Sequence, residues 1–353
     1  MTTTVLDGIR VGYVPYSPTL DEPGDRRRFG FYAERRGVPF EIARPDEDYD
    51  VVVLCATADI GTWRRRPPGR PKLVYDLIDS YLALPRFDPT SLLRGAAKFA
   101  ARQTQSLVLD YRKAIEDMCR RADAVVCSTE EQRAQILALC DEVHVILDAH
   151  TELGGGHKTD FAIGDTVHLV WEGLPYTLTG FGGIAEALRE LASERPVALH
   201  LVTDLSFAKY ARRFGHVSTE TMARRILPST YVYQWNHHLL PRIVTGCDVA
   251  VIPLDLSDPL ARGKPENKLL IFWRLGLPTI TSATPAYRRT MQGCGLDLTC
   301  TTAQDWIATL RRVIVDEDLR QSASRLGRNY VDAHHSVDGL LARWDHVFES
   351  VLQ

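Results

Sequence analysis

The sequence has no cysteine pattern that would build a disulfide framework or a zinc site. Its seven cysteines are odd in number and never occur as C-x-x-C, and several lie in apolar stretches such as VVVLCA, where cysteine behaves as a small hydrophobic residue. The eleven histidines show no metal-binding spacing, because adjacent pairs such as His237 and His238 point to different sides of a helix or strand. The sequence therefore predicts no resident metal ion.

Long apolar runs and an excess of positive charge are also missing. No run approaches the ~18 residues that span a bilayer, and the start MTTTVLDGIR has no charged region followed by an apolar core, so no secretory signal is visible. A formal net charge of -3 is unlike the strongly basic footprint of a duplex nucleic-acid binder. These absences predict a cytoplasmic protein without a nucleic-acid partner.

What the sequence does contain is typical of two α/β domains. Its 353 residues exceed a comfortable single core, and apolar runs alternate with helical stretches twice along the chain, which predicts parallel sheets covered by helices. We expect two Rossmann-like domains facing each other across a cleft, over residues 1–155 and 165–335. The C-terminal helix, 336–353, is expected to join the first domain. In the second domain a helical stretch is expected from Ser206 onward.

One segment of the second half, residues 247–288, predicts an anion-binding site. Its order is strand, polar loop, helix and strand, with Pro265 suited to the first helical position and Gly276 ending the helix. Lys264 and Lys268 flank the helix start, where the macrodipole disfavours a cation unless an anion is bound. Backbone N–H groups and two ammonium groups at one point suit a diphosphate. The alternative is a pair of solvated surface lysines.

In the first half, charged residues follow Pro-Gly at the predicted start of a helix, and they are Asp25, Arg26, Arg27 and Arg28. Three arginines are unfavourable at that end of a helix unless an anion or neighbouring carboxylates compensate. We predict that they lie at the mouth of a cleft and recognise a phosphate or carboxylate of a substrate. The alternative is a solvated triplet with one local salt bridge.

Two aspartates, Asp76 and Asp79, come at the end of an inner strand of the first half. Such a carboxylate can accept the hydrogen bond or proton of a substrate hydroxyl, or it can cap the following turn. We expect one of them to cap and the other to contact the ligand, and the sequence leaves open which. Basic residues at 94, 98 and 102 line one face of a predicted helix; a solvated stripe is favoured there over a weak peripheral membrane contact.

Four segments have an order and spacing that separate common α/β patterns lack, and they are residues 122–150, residues 168–191, CDVAVIPL and LGLPTITSATPAY. Together they resemble glycosyltransferases of the GT-B fold, particularly retaining enzymes similar to family 4. The resemblance implies transfer of a sugar from a nucleoside diphosphate sugar to an alcohol acceptor, with retention of configuration. It implies no metal and no cofactor other than the nucleotide sugar itself.

Position by position, the resemblance implies a donor site in the second half. The residues expected to contact the nucleotide sugar are Gly173, Tyr176, Trp235, Asn236, Arg262, Glu266 and Asn267. Lys264, Lys268 and Asp79 are expected to take part in catalysis. Trp235 offers a stacking face for a nucleobase, although a loop tryptophan is also common in interface packing.

The chain departs from the family at the two glutamates that family members commonly carry near this helix. Ile271 and Gly263 stand at those positions, so the usual carboxylate for the donor ribose is missing. Glu266 is expected either to meet the sugar hydroxyls or to cap the helix. The missing glutamates support a catalytically silent nucleotide-sugar-binding protein as an alternative function. A sugar-nucleotide 2-epimerase, which shares the fold, is a further alternative.

Overall fold

The computed structural model describes residues 4–84, 110–151, 153–154, 156–208 and 216–353. The chain divides into two compact units, and each is built on a six-stranded parallel sheet. Unit 1 comprises Met1–Ala149, Gly263–Pro265 and Val337–Gln353, and unit 2 comprises His150–Arg262 and Glu266–Ser336.

Unit 1 has the strand order β2-β1-β3-β4-β5-β6. Its strands are β1 (Val11–Val14), β2 (Glu41–Ile42), β3 (Val51–Cys55), β4 (Lys72–Leu77), β5 (Ala124–Cys127) and β6 (Val143–Val145). Its helices are α1 (Pro23–Arg27), α2 (Phe29–Arg36), α3 (Ile60–Trp63), α4 (Tyr111–Arg121), α5 (Glu130–Ile136) and α14 (Val337–Leu352). All five residues of β3 are buried, as expected for a central parallel strand covered on both faces.

The C-terminal helix α14 packs within unit 1. Its carboxylate Asp345 accepts a hydrogen bond of 2.9 Å from the Tyr32 hydroxyl and pairs with Arg36. The rings of Trp344 and Phe348, both fully buried, lie 6.0 and 5.4 Å from the ring of Tyr32. Apolar residues at helical spacing therefore give α14 a face that the core of unit 1 covers.

Unit 2 has the strand order β11-β8-β7-β12-β13-β14. Its strands are β7 (Val167–Glu172), β8 (Val197–Thr203), β9 (Ser206–Ala208), β10 (His216–Ser218), β11 (Thr230–Gln234), β12 (Val249–Ile252), β13 (Thr279–Ser282) and β14 (Thr299–Cys300). A 3-10 helix spans Pro175–Gly183. Its α-helices are α6 (Ala185–Glu194), α7 (Thr219–Ile226), α8 (Leu239–Gly246), α9 (Pro259–Arg262), α10 (Asn267–Arg274), α11 (Pro285–Gly293), α12 (Ala303–Val315) and α13 (Glu317–His334).

The order of strands in unit 2 reverses direction between β7 and β12. The chain runs outward from β7 through β8 to β11, returns to β12 beside β7, and then runs outward through β13 to β14. Ligands of open α/β sheets bind beyond the carboxyl ends of the strands at such a reversal. The residues after β7 and β12 are therefore the first place to look for a site.

One predicted helix of unit 2 starts later than expected, and one predicted basic stripe cannot be compared with the structure. The helix expected from Ser206 is wrong at its start, because β9 and β10 form an antiparallel pair with Ser206 opposite Ser218, and α7 begins only at Thr219. The basic stripe at 94, 98 and 102 lies outside the described residues. Within those residues, no helix is long and apolar enough to span a bilayer.

Candidate functional site

The Lys268 ammonium lies at the carboxyl end of β7 in unit 2. Lys268 is the second residue of α10, and its Nζ sits 4.8 Å from the ring centroid of Trp171, the residue before the last of β7. A Cβ placed on Gly173 would lie 2.1 Å from the same nitrogen. This half-buried cation therefore occupies the strand end next to the reversal between β7 and β12.

The start of α10 differs from the prediction. Pro265 is not the first helical residue, because the helix begins at Asn267 with Glu266 before it at φ -74° and ψ 11°. Glu266 makes no side-chain cap; its carboxylate instead accepts a 3.0 Å hydrogen bond from the hydroxyl of Thr290 on α11. Of its two predicted uses, capping is thus wrong, and contact with a sugar stays a prediction.

Glu266 belongs to a buried polar group that the sequence did not reveal as a whole. Glu266 and Glu172, the last residue of β7, are 7% and 8% exposed. Burial raises the pKa of the fully buried Tyr287, and the charges of these two carboxylates raise it further. Two carboxylates and a neutral phenol therefore share the interior beneath the end of β7.

A cavity of about 420 Å³ opens at the carboxyl ends of the central strands of unit 2. Among the residues that line it are Gly180, Gly183, Asp255, Ser257, Ser282 and Trp306. Gly180 lets the 3-10 helix approach the chain after β12, since a Cβ there would lie 2.3 Å from the carbonyl oxygen of Pro253. The volume is in the range of small-molecule sites, and none of these residues was predicted.

The other donor residues predicted for unit 2 lie in loops or at helix ends. Trp235 follows β11 and donates from its backbone N–H to the carbonyl oxygen of Thr203 at 3.0 Å. The Asn236 side-chain oxygen accepts from the backbone N–H of His238 at 2.8 Å, which stabilises the start of α8. Tyr176 is 58% exposed in the 3-10 helix, and Arg262 is exposed at the end of α9. Their contacts with a donor stay predictions.

Arg28 lies in the interior of unit 1, contrary to the prediction. The prediction that its guanidinium lies at a cleft mouth is wrong, because its side chain is 0% exposed. It bonds to Asp76 through Nε at 2.7 Å and Nη2 at 2.6 Å, and to Asp148 through Nη1 at 3.0 Å. Burial raises the pKa of Asp76, and the ion pair with Arg28 opposes that rise. Asp76 therefore neither caps a turn nor lies open to an acceptor.

Asp25 is likewise held inside unit 1. Its carboxylate accepts from the Tyr13 hydroxyl at 2.7 Å and from the backbone N–H groups of Tyr16 and Ser17 at 2.9 and 3.1 Å. These bonds fasten the loop after β1 to α1, so Asp25 acts in this structure as an anchor of the loop.

Four more charged residues predicted for a site lie in unit 1, and they are Arg26, Arg27, Asp79 and Lys264. Of these, Lys264 was predicted in the second domain beside Lys268. Arg26 is exposed and bonds to the carbonyl oxygen of Asp21 at 3.0 Å, whereas Arg27 is 8% exposed. The Lys264 ammonium pairs with Asp79 at 2.7 Å. The neighbouring Ser80 hydroxyl donates to the Gly263 carbonyl at 3.0 Å. The catalytic roles predicted for Lys264 and Asp79 stay predictions.

The fold is shared with solved glycosyltransferases. HepE from Anabaena, in complex with UDP and glucose, has a TM-score of 0.62 and 13% identity, with 97% of this chain and 100% of that chain covered. Sucrose-phosphate synthase from Thermosynechococcus elongatus has a TM-score of 0.59 and 14% identity, with 92% and 76% covered. A glycosyltransferase from Rickettsia africae has a TM-score of 0.58 and 9% identity, with 98% of each chain covered.

No protein-family model and no curated protein matches the sequence. The predicted fold class, two Rossmann-like α/β units as in GT-B glycosyltransferases, is confirmed. At 9–14% identity these neighbours show the fold alone.

Proposed function

We propose that the chain is a glycosyltransferase that moves a sugar from a nucleoside diphosphate sugar to a hydroxyl group of an acceptor. The observation that carries the proposal is the Lys268 ammonium at the start of α10, beside Gly173 at the end of β7. A cation there is disfavoured by the dipole of α10, and a bound diphosphate reverses that sign. The site lies next to the strand reversal where α/β sheets bind ligands.

Unit 2 offers room for the rest of the donor. The cavity of about 420 Å³ beside Gly180 and Ser282 accommodates one end of the nucleotide sugar. Glu266, buried and held by Thr290, presents a carboxylate for sugar hydroxyls, and Trp235 offers a face on which a base stacks. Arg262 supplies a second positive charge at the exposed end of α9.

The transfer retains the configuration of the sugar and needs no metal ion. The bond from the anomeric carbon to the diphosphate oxygen breaks while a bond to the acceptor oxygen forms on the same face, and the acceptor proton passes to the leaving diphosphate. Lys268 and the dipole of α10 stabilise the charge that develops on the diphosphate. No strong protein base is required for this route.

A catalytically silent nucleotide-sugar-binding protein is the second candidate, and Ile271 favours it. The resemblance places a ribose-binding carboxylate at this position, but Ile271 is apolar and 2% exposed within α10. A chain that kept the fold but lost this contact would bind the donor without turnover.

Thermal unfolding with a panel of ligands tests both candidates. The panel is UDP, GDP, ADP and dTDP with their glucose conjugates. A ligand at 100 times its Kd adds about 2.7 kcal/mol of stability, which raises the Tm of a domain of this size by several degrees. We expect one base to shift the Tm and its sugar conjugate to release the nucleoside diphosphate slowly. Binding without release in the presence of varied acceptors supports the silent candidate, and no shift with any ligand contradicts both.

A further inference from the structure

Trp171 is a buried aromatic residue near the carboxyl end of β7 to which the proposed function gives no role. Its side chain is 1% exposed, and its ring meets that of Phe181 at 5.9 Å between centroids and 71° between planes. Buried tryptophans are ordinarily explained by the apolar area that they bury. Trp171 differs because a charged group lies over its ring.

That charged group is the Lys268 ammonium, 4.8 Å from the ring centroid. The distance falls within the ~6 Å over which an aromatic face attracts a cation, and tryptophan attracts more strongly than tyrosine or phenylalanine. Because the ring is held by the core of unit 2, it fixes the place to which the ammonium is drawn.

Gly173 provides the space for this arrangement. A Cβ at position 173 would lie 2.1 Å from Lys268 Nζ, and 2.8 Å from Cζ2 of Trp171. The ammonium therefore occupies the volume that any other residue after β7 would fill. A side chain at this position has to displace the ammonium, the Trp171 ring or both.

This inference rests on the proposed function: we propose that Trp171 is a positioning residue that holds the Lys268 ammonium at the end of β7, ready for the donor diphosphate. An aromatic face attracts a cation and orients it. Lysine has a long flexible stem, so an ammonium that is already placed spares the ligand the entropy cost of ordering it.

The geometry is testable without any ligand, because the chain has only seven lysines, at positions 72, 98, 113, 158, 209, 264 and 268. Reductive dimethylation with ¹³C-formaldehyde keeps each charge and gives each lysine an NMR signal, and Lys268→Arg identifies the signal of Lys268. We expect the ring current of Trp171 to shift that signal upfield from the others. In Trp171→Leu the shift should vanish, and in Trp171→Phe part of it should remain.

Isothermal calorimetry with inorganic pyrophosphate tests whether the placed ammonium strengthens diphosphate binding, and it does so independently of the nucleobase. We expect Trp171→Leu to weaken binding about threefold to thirtyfold, the range of a cation–π contact, with Trp171→Phe closer to the wild type. Gly173→Ala keeps the tryptophan but crowds both its ring and the ammonium, so it tests the whole arrangement even if Trp171→Leu fails to fold. It should weaken binding and move the Lys268 signal together.

The outcomes separate this inference from the proposed function. If Lys268→Gln weakens pyrophosphate binding but Trp171→Leu and Gly173→Ala leave it unchanged, the positioning role is wrong and the diphosphate site stands. An unshifted Lys268 signal in the wild type also overturns the positioning role. If no nucleoside diphosphate shifts the Tm of the wild type, the proposed function itself fails.

Discussion

Both units place charged side chains at the carboxyl ends of their central strands, but they use them differently. In unit 1, Arg28 is buried and pairs with both Asp76 and Asp148, so its positive charge is compensated inside the protein. In unit 2, Lys268 lies half-buried against an aromatic ring and a glycine at the end of β7. The same sheet architecture thus has a fully buried cation held by ion pairs in one unit and a half-buried cation over an aromatic ring in the other.

The largest effect is expected from breaking the ion pairs of unit 1. Arg28→Met leaves the carboxylates of Asp76 and Asp148 without their buried cation, and the loss of one partner from a buried pair costs about 3–5 kcal/mol. We expect the free energy of unfolding of unit 1, measured by urea titration with circular dichroism, to fall by about this amount. Ligand binding by unit 2 should remain under conditions where the variant is folded.

The double variant Arg28→Met/Asp76→Leu is the matched control. It removes a cation and an anion together, and replacing a buried pair by apolar residues is often close to neutral. If the single variant is as stable as the wild type, the buried ion pairs of Arg28 do not stabilise unit 1. The difference described between the charged groups of the two units is then wrong.

The second-largest effect is expected from removing the positive charge of Lys268 in unit 2. Lys268→Gln removes a charge-assisted contact of about 1.5–3 kcal/mol, which corresponds to a roughly tenfold to hundredfold weaker Kd. We expect this loss for the nucleoside diphosphate that stabilises the wild type, measured by calorimetry, with little change in the affinity for the corresponding nucleoside. Lys113→Gln, at an exposed lysine of α4, should leave both affinities unchanged. An equal loss for diphosphate and nucleoside would show that Lys268 does not contact the phosphates.

A pH-dependent effect is expected on the sheet of unit 2. Burial and the neighbouring His168 lower the pKa of His200 to about 4, and the rings of these histidines are joined at 3.0 Å. Because an unfolded histidine titrates near ~6.5, the unfolded state takes up the proton first. The stability contributed by neutral His200 is therefore complete above pH ~6.5 and declines as the pH falls toward 4.

His200→Gln should remove this contribution to the pH dependence. The measurement is the difference in free energy of unfolding between wild type and variant at several pH values from 7.5 to 4.5, which cancels the effects of other titrating groups. His346→Gln, at an exposed histidine of unit 1, serves as the control. A difference that stays constant with pH would contradict the lowered pKa.

The smallest effect is expected for an exposed ion pair of unit 2. Arg224 and Glu220 on α7 lie 2.8 Å apart, with side chains 64% and 58% exposed. Exposed pairs of this spacing contribute about 0.3–0.5 kcal/mol, so Glu220→Gln should change the free energy of unfolding by no more than that. A loss as large as that of Arg28→Met would mean that burial does not explain the contrast between the two units.

Much of the fold was predictable because its signals are local. Apolar runs such as VVVLC and helical spacing in residues 303–315 mark strands and helices without reference to distant residues, and β3 and α12 form over these residues. The β9–β10 pair was missed because no two-residue turn signal joins its strands. The use of Glu266 was missed because its partner Thr290 lies 24 positions away.

The candidate site was predictable only in part. Lys268 and Gly173 were found from the segment order and from the resemblance. Trp171 and Glu172 were not, because an apolar run that ends in a charged residue looks like any strand end. Arg28 was misplaced because its partners Asp76 and Asp148 lie 48 and 120 positions away.

The amino-acid order alone thus specified two α/β units and the types of residue at their strand ends, since periodicity and turn chemistry act over a few neighbouring positions. Tertiary packing decided the use of each charge, because desolvation and ion pairing depend on residues that are far apart in the chain. Arg28 became part of the interior of unit 1, while Lys268 was placed over an aromatic ring at a strand end of unit 2.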